Sequence, residues 1–466
     1  MGITSVQFAY FALVAIGLFN ILPKWLRAPV LYPVASAAFL WLQMPDPLRI
    51  AVLLSFSVFA WLLVNLARLR RTSWALFGSI VLLVVAYYFV RSNAWLSELI
   101  GSDRLVIIGI AYILVRALQV ILDSHEDPSV TPGLPAFLVF LLAWPTLISG
   151  PIQRWQEFKQ QYGALADFRL DWSLLNLALG RIILGLFFVL VLGDAFRRLW
   201  SALSSIALQS TSPLALGAAE LTFFVYLTFD FVGYTEIVIG LALLCGFRLP
   251  ENFNRPWLAT SYLDFWSRWH MTLAGFFRTY VFNTIIRDLT YRQPGKRFAL
   301  MHAAIAFFVT FFLVGLWHGV TWHFVVCGLL LAIGAMGNQL LRSVSHIRRA
   351  LKLLPVAISN WLTGALTLTY VCFSIMPLWL SSMSWPEAGR VFLSGYGLSG
   401  LISANLVVLG LLVLIVGALR AAAPVLSYAL QRYRAGPVLA GAAVACIHIY
   451  GTMFPVTAIN FIYQAF

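Results

Sequence analysis

Val314-Gly315-Leu316-Trp317-His318-Gly319-Val320-Thr321-Trp322-His323 lies inside an apolar run, residues 303–341, that is hydrophobic enough to cross a bilayer nearly twice. A titratable imidazole at membrane depth is costly and by default marks a functional position. Trp317 and Gly319 bracket His318, and a glycine lets another backbone or a ligand come close to the ring. The rest of the chain has to supply the chemistry.

The chain has 466 residues, of which 61% are hydrophobic and 10% charged, with a mean hydropathy of +0.88. Soluble domains carry roughly 25% charged residues, so the composition is that of an integral membrane protein. Apolar runs recur along almost the whole chain, among them residues 8–22, 50–66, 76–90, 105–122, 182–199, 299–316, 354–380, 401–419 and 438–453. At about 20 residues per span, the chain accommodates roughly ten to twelve transmembrane or re-entrant helices. The expected fold class is therefore an all-α integral membrane protein, a single polytopic domain over residues 1–466. No polar stretch is long enough for an aqueous catalytic domain, so any chemistry belongs inside the helical body or at its rims.

The formal charge is +14, from 31 Lys and Arg against 17 Asp and Glu. In a membrane protein this excess reports topology and anionic lipid rather than nucleic acid. Lys24 and Arg27 follow the first apolar run, and Arg68, Arg70 and Arg71 follow the third. These two clusters lie two spans apart and share a side, which the positive-inside rule makes the cytoplasm, with the N-terminus outside. Further basic clusters are Arg287, Arg292, Lys296 and Arg297, then Arg342, Arg348, Arg349 and Lys352. Residues 1–22 lack a basic n-region and a small-residue cleavage site and read as a first spanning helix. Cys245, Cys327, Cys372 and Cys446 stand singly in apolar segments, without metal-ligand spacing, and read as buried small hydrophobes.

The middle block, residues 128–339, holds most of the internal polar residues and is where function is expected. Three stretches in it break ordinary helix rules. Trp144-Pro145-Thr146-Leu147-Ile148-Ser149-Gly150-Pro151 cannot continue a straight helix, and broken backbone at membrane depth needs protein or a polar cavity to satisfy it. Asp230 and Glu236 lie in an otherwise apolar segment and are expected to face the interior and find donors. The third stretch, residues 250–283, is too polar for a lipid-exposed span and too aromatic for a free loop. Asp264, Arg268 and Arg278 have the spacing to pair on short re-entrant or interfacial helices.

Of the seven histidines, His125 and His346 sit beside loop charges and read as solvated, and His302 and His448 as satisfied packing groups. His323 lies five residues after His318, about 140° away on a helix, which makes it a poor partner for a metal, and no carboxylate cluster completes a site. No metal is expected. Nucleophile elbows, Cys–His pairs and phosphate-cradling glycine loops are missing. A membrane enzyme with histidine but no protein nucleophile points to direct transfer, in which the imidazole removes a proton from a hydroxyl that attacks an activated acyl group.

Five motifs in order carry a family likeness: Ser149-Gly150-Pro151-Ile152; Phe229-Asp230-Phe231 with Gly233-Tyr234; Asn252-Phe253-Asn254-Arg255-Pro256; Phe265-Trp266 with Arg268-Trp269-His270; and Gly315-Leu316-Trp317-His318-Gly319. Together they resemble the membrane-bound O-acyltransferase family, in its bacterial branch that modifies envelope polymers. The ending Phe461-Ile462-Tyr463, with Phe466, is similar to the aromatic tail of that branch. The resemblance covers nearly the whole chain. It implies a ring of tilted helices around a central tunnel, with His318 as catalytic base toward the acceptor and His270 as the second motif histidine. It also implies that Asn254, Arg268, Trp269, Trp317 and Asp230 shape the substrate path. Relatives often carry another histidine about a dozen residues on, where this chain has Leu331, so no role falls there.

What the resemblance implies for partners is a thioester donor at the cytoplasmic face, acyl-CoA or a phosphopantetheinyl carrier protein, with no permanently bound cofactor. On the other side it implies an envelope glycopolymer reached through an extracytoplasmic acyltransferase or a small membrane peptide. The expected location is the bacterial cytoplasmic (inner) membrane. Glu251 to Pro256 leans toward alginate-type O-acetylation, and Trp317 to His323 toward D-alanyl transfer onto teichoic acid, with acetyl slightly ahead. The rival from another class is a non-catalytic polymer or lipid transporter, whose polar middle block would only line a path. No internal repeat of the kind many transporters carry supports it.

Overall fold

The computed structural model describes residues 3–91, 107–319, 321–344, 349, 353–380, 383–432 and 436–454. Val320, His346, Arg348, Lys352, the start of the 105–122 run and the aromatic ending at 461–466 lie outside the described residues. Among the described residues the regular structure is all helical, and nine helical stretches are long and apolar enough to cross a membrane. Two shorter apolar helices, Val6–Ile21 and Leu439–Met453, accompany them, consistent with the ten to twelve expected. Backbone contacts group the chain into two compact units, the first within residues 1–186 and 234–250, the second within 187–233 and 251–455.

The first unit holds α1 (Val6–Ile21), α2 (Tyr32–Gln43), α3 (Pro47–Arg70), α4 (Ser73–Arg91), α5 (Ile110–Glu126), α6 (Leu134–Leu141), α7 (Trp155–Gly163) and most of α8 (Trp172–Phe187). Local chemistry sets the starts. Ser5 accepts the Phe8 N–H ahead of α1, and Asp46 accepts the Leu48 N–H ahead of α3, whose first residue is Pro47.

Side chains of neighbouring helices satisfy part of the broken segment after α6, with the Ser36 hydroxyl on α2 accepting the Trp144 N–H at 3.3 Å. Arg116 on α5, 1% exposed, donates from Nη1 to the carbonyls of Phe140 and Leu141 at 3.2 and 3.1 Å. Its Nη2 donates to Thr146 at 2.7 Å. The guanidinium fork thus occupies carbonyls that the interrupted helix leaves open, the condition for non-helical backbone in an apolar environment. Arg27 behaves similarly and corrects its reading as a free topology charge. It is buried, donates to the carbonyls of Phe19 and Phe168 at 2.9 and 2.7 Å, and lies over both rings. Glu236 finds its donor as expected, in Arg181 at 2.9 Å.

The second unit begins with α9 (Asp194–Ser210) and residues 213–233 of α10 (Pro213–Leu244). It continues through the short helices α11 (Tyr262–Trp266), α12 (Met271–Phe277) and α13 (Asn283–Arg292). Then come α14 (Ala299–His318), α15 (Trp322–Ser343), α16 (Val356–Trp379), α17 (Trp385–Gly389), α18 (Gly397–Arg432) and α19 (Gly436–Met453). The polar-aromatic stretch at 250–283 is thus short helices separated by bends. Asp264 pairs with Arg268 at 2.8 Å, while Arg278 is exposed.

α14 and α15 form an antiparallel hairpin whose backbones nearly touch. A Cβ on Gly315 would lie 2.4 Å from the Gly328 Cα, so α14 admits no side chain at that position. Tyr262 and Tyr370 pin the far face of α15 by donating to the carbonyls of Leu331 and Leu330 at 3.1 and 2.7 Å. Asp194, 1% exposed, accepts from Arg198 at 2.7 Å and from the Tyr450 hydroxyl at 2.9 Å, which ties α9 to α19.

Candidate active site

His318 is the last residue of α14, half-buried. Its ring lies 4.5 Å from Trp317, edge to face, and stacks on Phe324 at 6.2 Å and 15°. Gly319 is fixed by that stack. A Cβ at this position would meet the Phe324 ring at 2.3 Å, so only glycine lets the chain leave α14 with the phenyl ring against the imidazole. Trp317, 6% exposed, bridges to the second histidine, its ring centroid 6.4 Å from that of His270.

His270 precedes α12 with φ 44° and ψ 50°, a left-handed conformation that is uncommon outside glycine. Such strain costs about 1–3 kcal/mol, persists only where surroundings enforce it, and clusters at active sites. The surroundings are specific. Asn252, fully buried, accepts the Met271 N–H on its carbonyl at 2.9 Å. Its side-chain oxygen takes the Thr272 hydroxyl at 2.6 Å. The two residues after His270 are therefore clamped, and Phe231 closes the ring from the other side at 4.9 Å. Burial pushes the His270 imidazole down to about 3, and the neighbouring His318 pushes in the same direction. His270 is therefore neutral at physiological pH.

Trp269 is 5% exposed and nested among Phe265, Phe253, Phe231 and Phe224, with ring centroids 5.0 to 6.4 Å away. Arg268 is engaged by Asp264 and reaches the Asn254 carbonyl at 3.4 Å, while the Asn254 N–H donates back to the Arg268 carbonyl at 2.9 Å. One backbone and one guanidinium hydrogen bond thus join Asn254 to Arg268, and Asn254 is exposed. Asp230 is buried beside Gly193. The contact of that helix with the imidazole is made by the next residue, Phe231.

The structure therefore brings His270, Trp317 and His318 together, seats Trp269 one aromatic layer behind, and joins Arg268 to Asn254. Sequence reasoning missed three parts of this constellation: the Asn252 clamp, the Phe231 wall and the Phe324 stack. The signal for Asn252 was present, two positions before Asn254 in the same motif. The other histidines part ways. His323 is fully engaged, its Nε2 with the Leu380 carbonyl at 3.0 Å and its Nδ1 with the Thr321 hydroxyl at 3.1 Å.

Several expectations are corrected. His125 is half-buried on the Ala67 carbonyl at 3.0 Å rather than solvated. His302 is buried against Phe298, but its Nε2 has no hydrogen-bond partner among the described residues. His448 and Cys446 face outward from α19 rather than packing inside. Among the described residues no three His, Cys, Asp or Glu side chains converge as a metal site would require.

A multi-pass helical membrane protein with two imidazoles bridged by a buried indole, one ring on a strained backbone, has the parts of an intramembrane transferase. The chain belongs to the membrane-bound O-acyltransferase family, whose model matches residues 48–373. Members of the family and the named relatives are acyltransferases, and so is this chain. It is similar to a teichoic acid D-alanyltransferase of Lacticaseibacillus rhamnosus, 31% identical over 60% of this chain and 72% of that protein. It is 31% identical to the Bacillus subtilis teichoic acid D-alanyltransferase, over 48% of this chain and 57% of that one. It is also 27% identical to a probable alginate O-acetylase of Pseudomonas aeruginosa, over 84% of this chain and 78% of that one.

Proposed function

We propose that the chain relays an acyl group from a cytoplasmic thioester, acyl-CoA or a phosphopantetheinyl carrier protein, across the bacterial cytoplasmic membrane. The acceptor is a hydroxyl of an envelope polysaccharide or of a partner protein, such as a small membrane peptide or an extracytoplasmic acyltransferase. The observation that carries this reading is the His270–Trp317–His318 cluster in a chain of this family. With the N-terminus outside, Lys24 and the basic cluster of Arg68, Arg70 and Arg71 face the cytoplasm, and the donor enters from that side.

His318 acts as general base. Its imidazole takes the proton of the acceptor hydroxyl, whose oxygen adds to the thioester carbonyl. The tetrahedral intermediate expels the thiolate, which takes the proton back from the imidazolium. One C–O bond forms, one C–S bond breaks, and no proton is left over. Neutral His270 places no second positive charge against the imidazolium that forms, while Trp317 and Phe324 hold the base in orientation. Asn254, Arg268, Trp269 and Asp230 shape the substrate path behind it.

Acetyl is the acyl group in the first reading, supported by the alginate relative, which matches over most of both chains. D-alanyl is the second, supported by the higher identity, 31%, to two D-alanyltransferases. The test is His318→Ala in cells, with mass spectrometry of envelope polymers. Polymer acylation should fall by at least about 10²-fold at equal protein level, and the mass of the lost group names the acyl. Undiminished acylation refutes the role of His318.

A further inference from the structure

Glu220 lies two turns into α10, 1% exposed, with neither carboxyl oxygen hydrogen-bonded among the described residues. A buried carboxyl left in this state is costly even when neutral, and a polar molecule that completes it relieves the cost. Two more unsatisfied groups connect to the same helix through ring contacts. One turn after Glu220, the Phe223 ring lies 5.2 Å from Trp200, and Trp200 meets Trp379 edge to face at 6.4 Å. Both indole Nε1 atoms are buried without a partner among the described residues, and an indole N–H can only donate. Tyr226 stacks on Trp200 with ring centroids 6.0 Å apart.

The cluster has a defined place relative to the base. Trp379 ends α16, and the two carbonyls that follow, Leu380 and Met383, accept from His323 and Trp322 at 3.0 and 3.1 Å. It therefore borders the turn just after His318, at the end of α14 opposite Lys296 and Arg297. Two indoles and a tyrosine face, two N–H donors and one carboxyl make a set suited to a ring or chain bearing several hydroxyls. The aromatic faces take its C–H surfaces, and the polar atoms take its hydroxyls.

From this we infer that Glu220, Trp200 and Trp379 form an acceptor subsite for a polyhydroxylated chain, next to His318 on the side away from the basic cluster. The inference rests on His318 being the base toward an acceptor hydroxyl. Glu220 and the two indoles are positioning groups, which hold the acceptor and take no part in the bond exchange.

The test uses the full-length chain in detergent micelles, melted with and without two probes, a uronate oligosaccharide and a glycerol-phosphate oligomer. One probe should raise the Tm of the wild type, and which one does so identifies the acceptor class. Glu220→Leu should melt higher than wild type without probe, because an unsatisfied buried acid is removed, yet bind that probe at least tenfold more weakly. A tenfold loss corresponds to about 1.4 kcal/mol. Trp379→Phe, which keeps the ring and deletes the N–H, should weaken binding in the same direction. A wild type that responds to neither probe, or a Glu220→Leu variant that binds like wild type, overturns the subsite. The two ideas fail separately, because His318→Ala should bind the probe normally while acylating nothing. Normal acylation by His318→Ala would sink the base and leave the binding result standing.

Discussion

Replacing Gly319 by Ala tests whether the geometry around His318 matters for transfer. The backbone there is extended, with φ 167° and ψ 171°, so alanine adopts it without strain. By reducing the freedom of the unfolded chain, such a change alone would stabilise the protein by about 0.4–1 kcal/mol. Sterics oppose this. The new Cβ would sit 2.3 and 2.6 Å from two Phe324 ring atoms and 3.2 Å from its Cγ, so the whole ring must move by about 1 Å to restore van der Waals contact. Overpacking of this kind costs about 1–3 kcal/mol, so the net change runs from about neutral to about 2.6 kcal/mol destabilising. Because Phe324 is stacked on His318, the imidazole follows, and a displacement near 1 Å in a catalytic group lowers the rate by about 10²-fold. The assay is acyl transfer in membrane vesicles normalised to protein, with the melting midpoint measured in parallel. Gly319→Ala combined with Phe324→Leu should recover part of both losses, since the smaller side chain makes room. A Gly319→Ala variant that transfers at the wild-type rate refutes the argument that Phe324 positions the base.

Other expectations follow from the same contacts. With a folded-state value about 3 against an ordinary 6.5, His270 stays neutral in the fold while the unfolded chain takes up a proton. The stability this gives is fully present above pH 6.5 and is lost as pH falls toward 3, by up to about 1.4 kcal/mol per pH unit. The melting midpoint should therefore drop between pH 7 and pH 5, and less so in His270→Asn, which keeps a residue at ease in the left-handed region; equal slopes would count against it. Arg116→Lys loses the fork that holds the carbonyls of Phe140, Leu141 and Thr146. It should cost about 1–3 kcal/mol and lower accumulation in the membrane, and a midpoint within about 1 °C of wild type would contradict this.

Much of the architecture is legible from local pattern, because lipid imposes its constraint on each span separately. A helix in hydrocarbon must be long, apolar and internally hydrogen-bonded, and the runs at 50–66, 76–90 and 299–316 show it without reference to the rest of the chain. The same logic flagged 144–151 as broken and picked out His318 as a costly imidazole. It failed where burial depends on packing between helices. Arg27 reads as a cytoplasmic charge yet is buried on carbonyls far along the chain, and Cys446 and His448 sit in an apolar helix yet point outward. A composition window cannot separate a protein-facing residue from a lipid-facing one, because both surroundings are apolar.

The candidate site divides in the same way. The sequence alone determined that this is a polytopic membrane protein and that residues 315–319 and 265–270 carry its distinctive groups, since residue type and spacing are written in the chain. Only the tertiary structure decided that Asn252 clamps a strained His270, that Phe324 explains Gly319, and that Glu220 has no hydrogen-bond partner among the described residues. Each of these is a pairing, or a failure to pair, between segments distant in sequence. The energy of such a contact depends on distances and desolvation that exist only once the helices have packed.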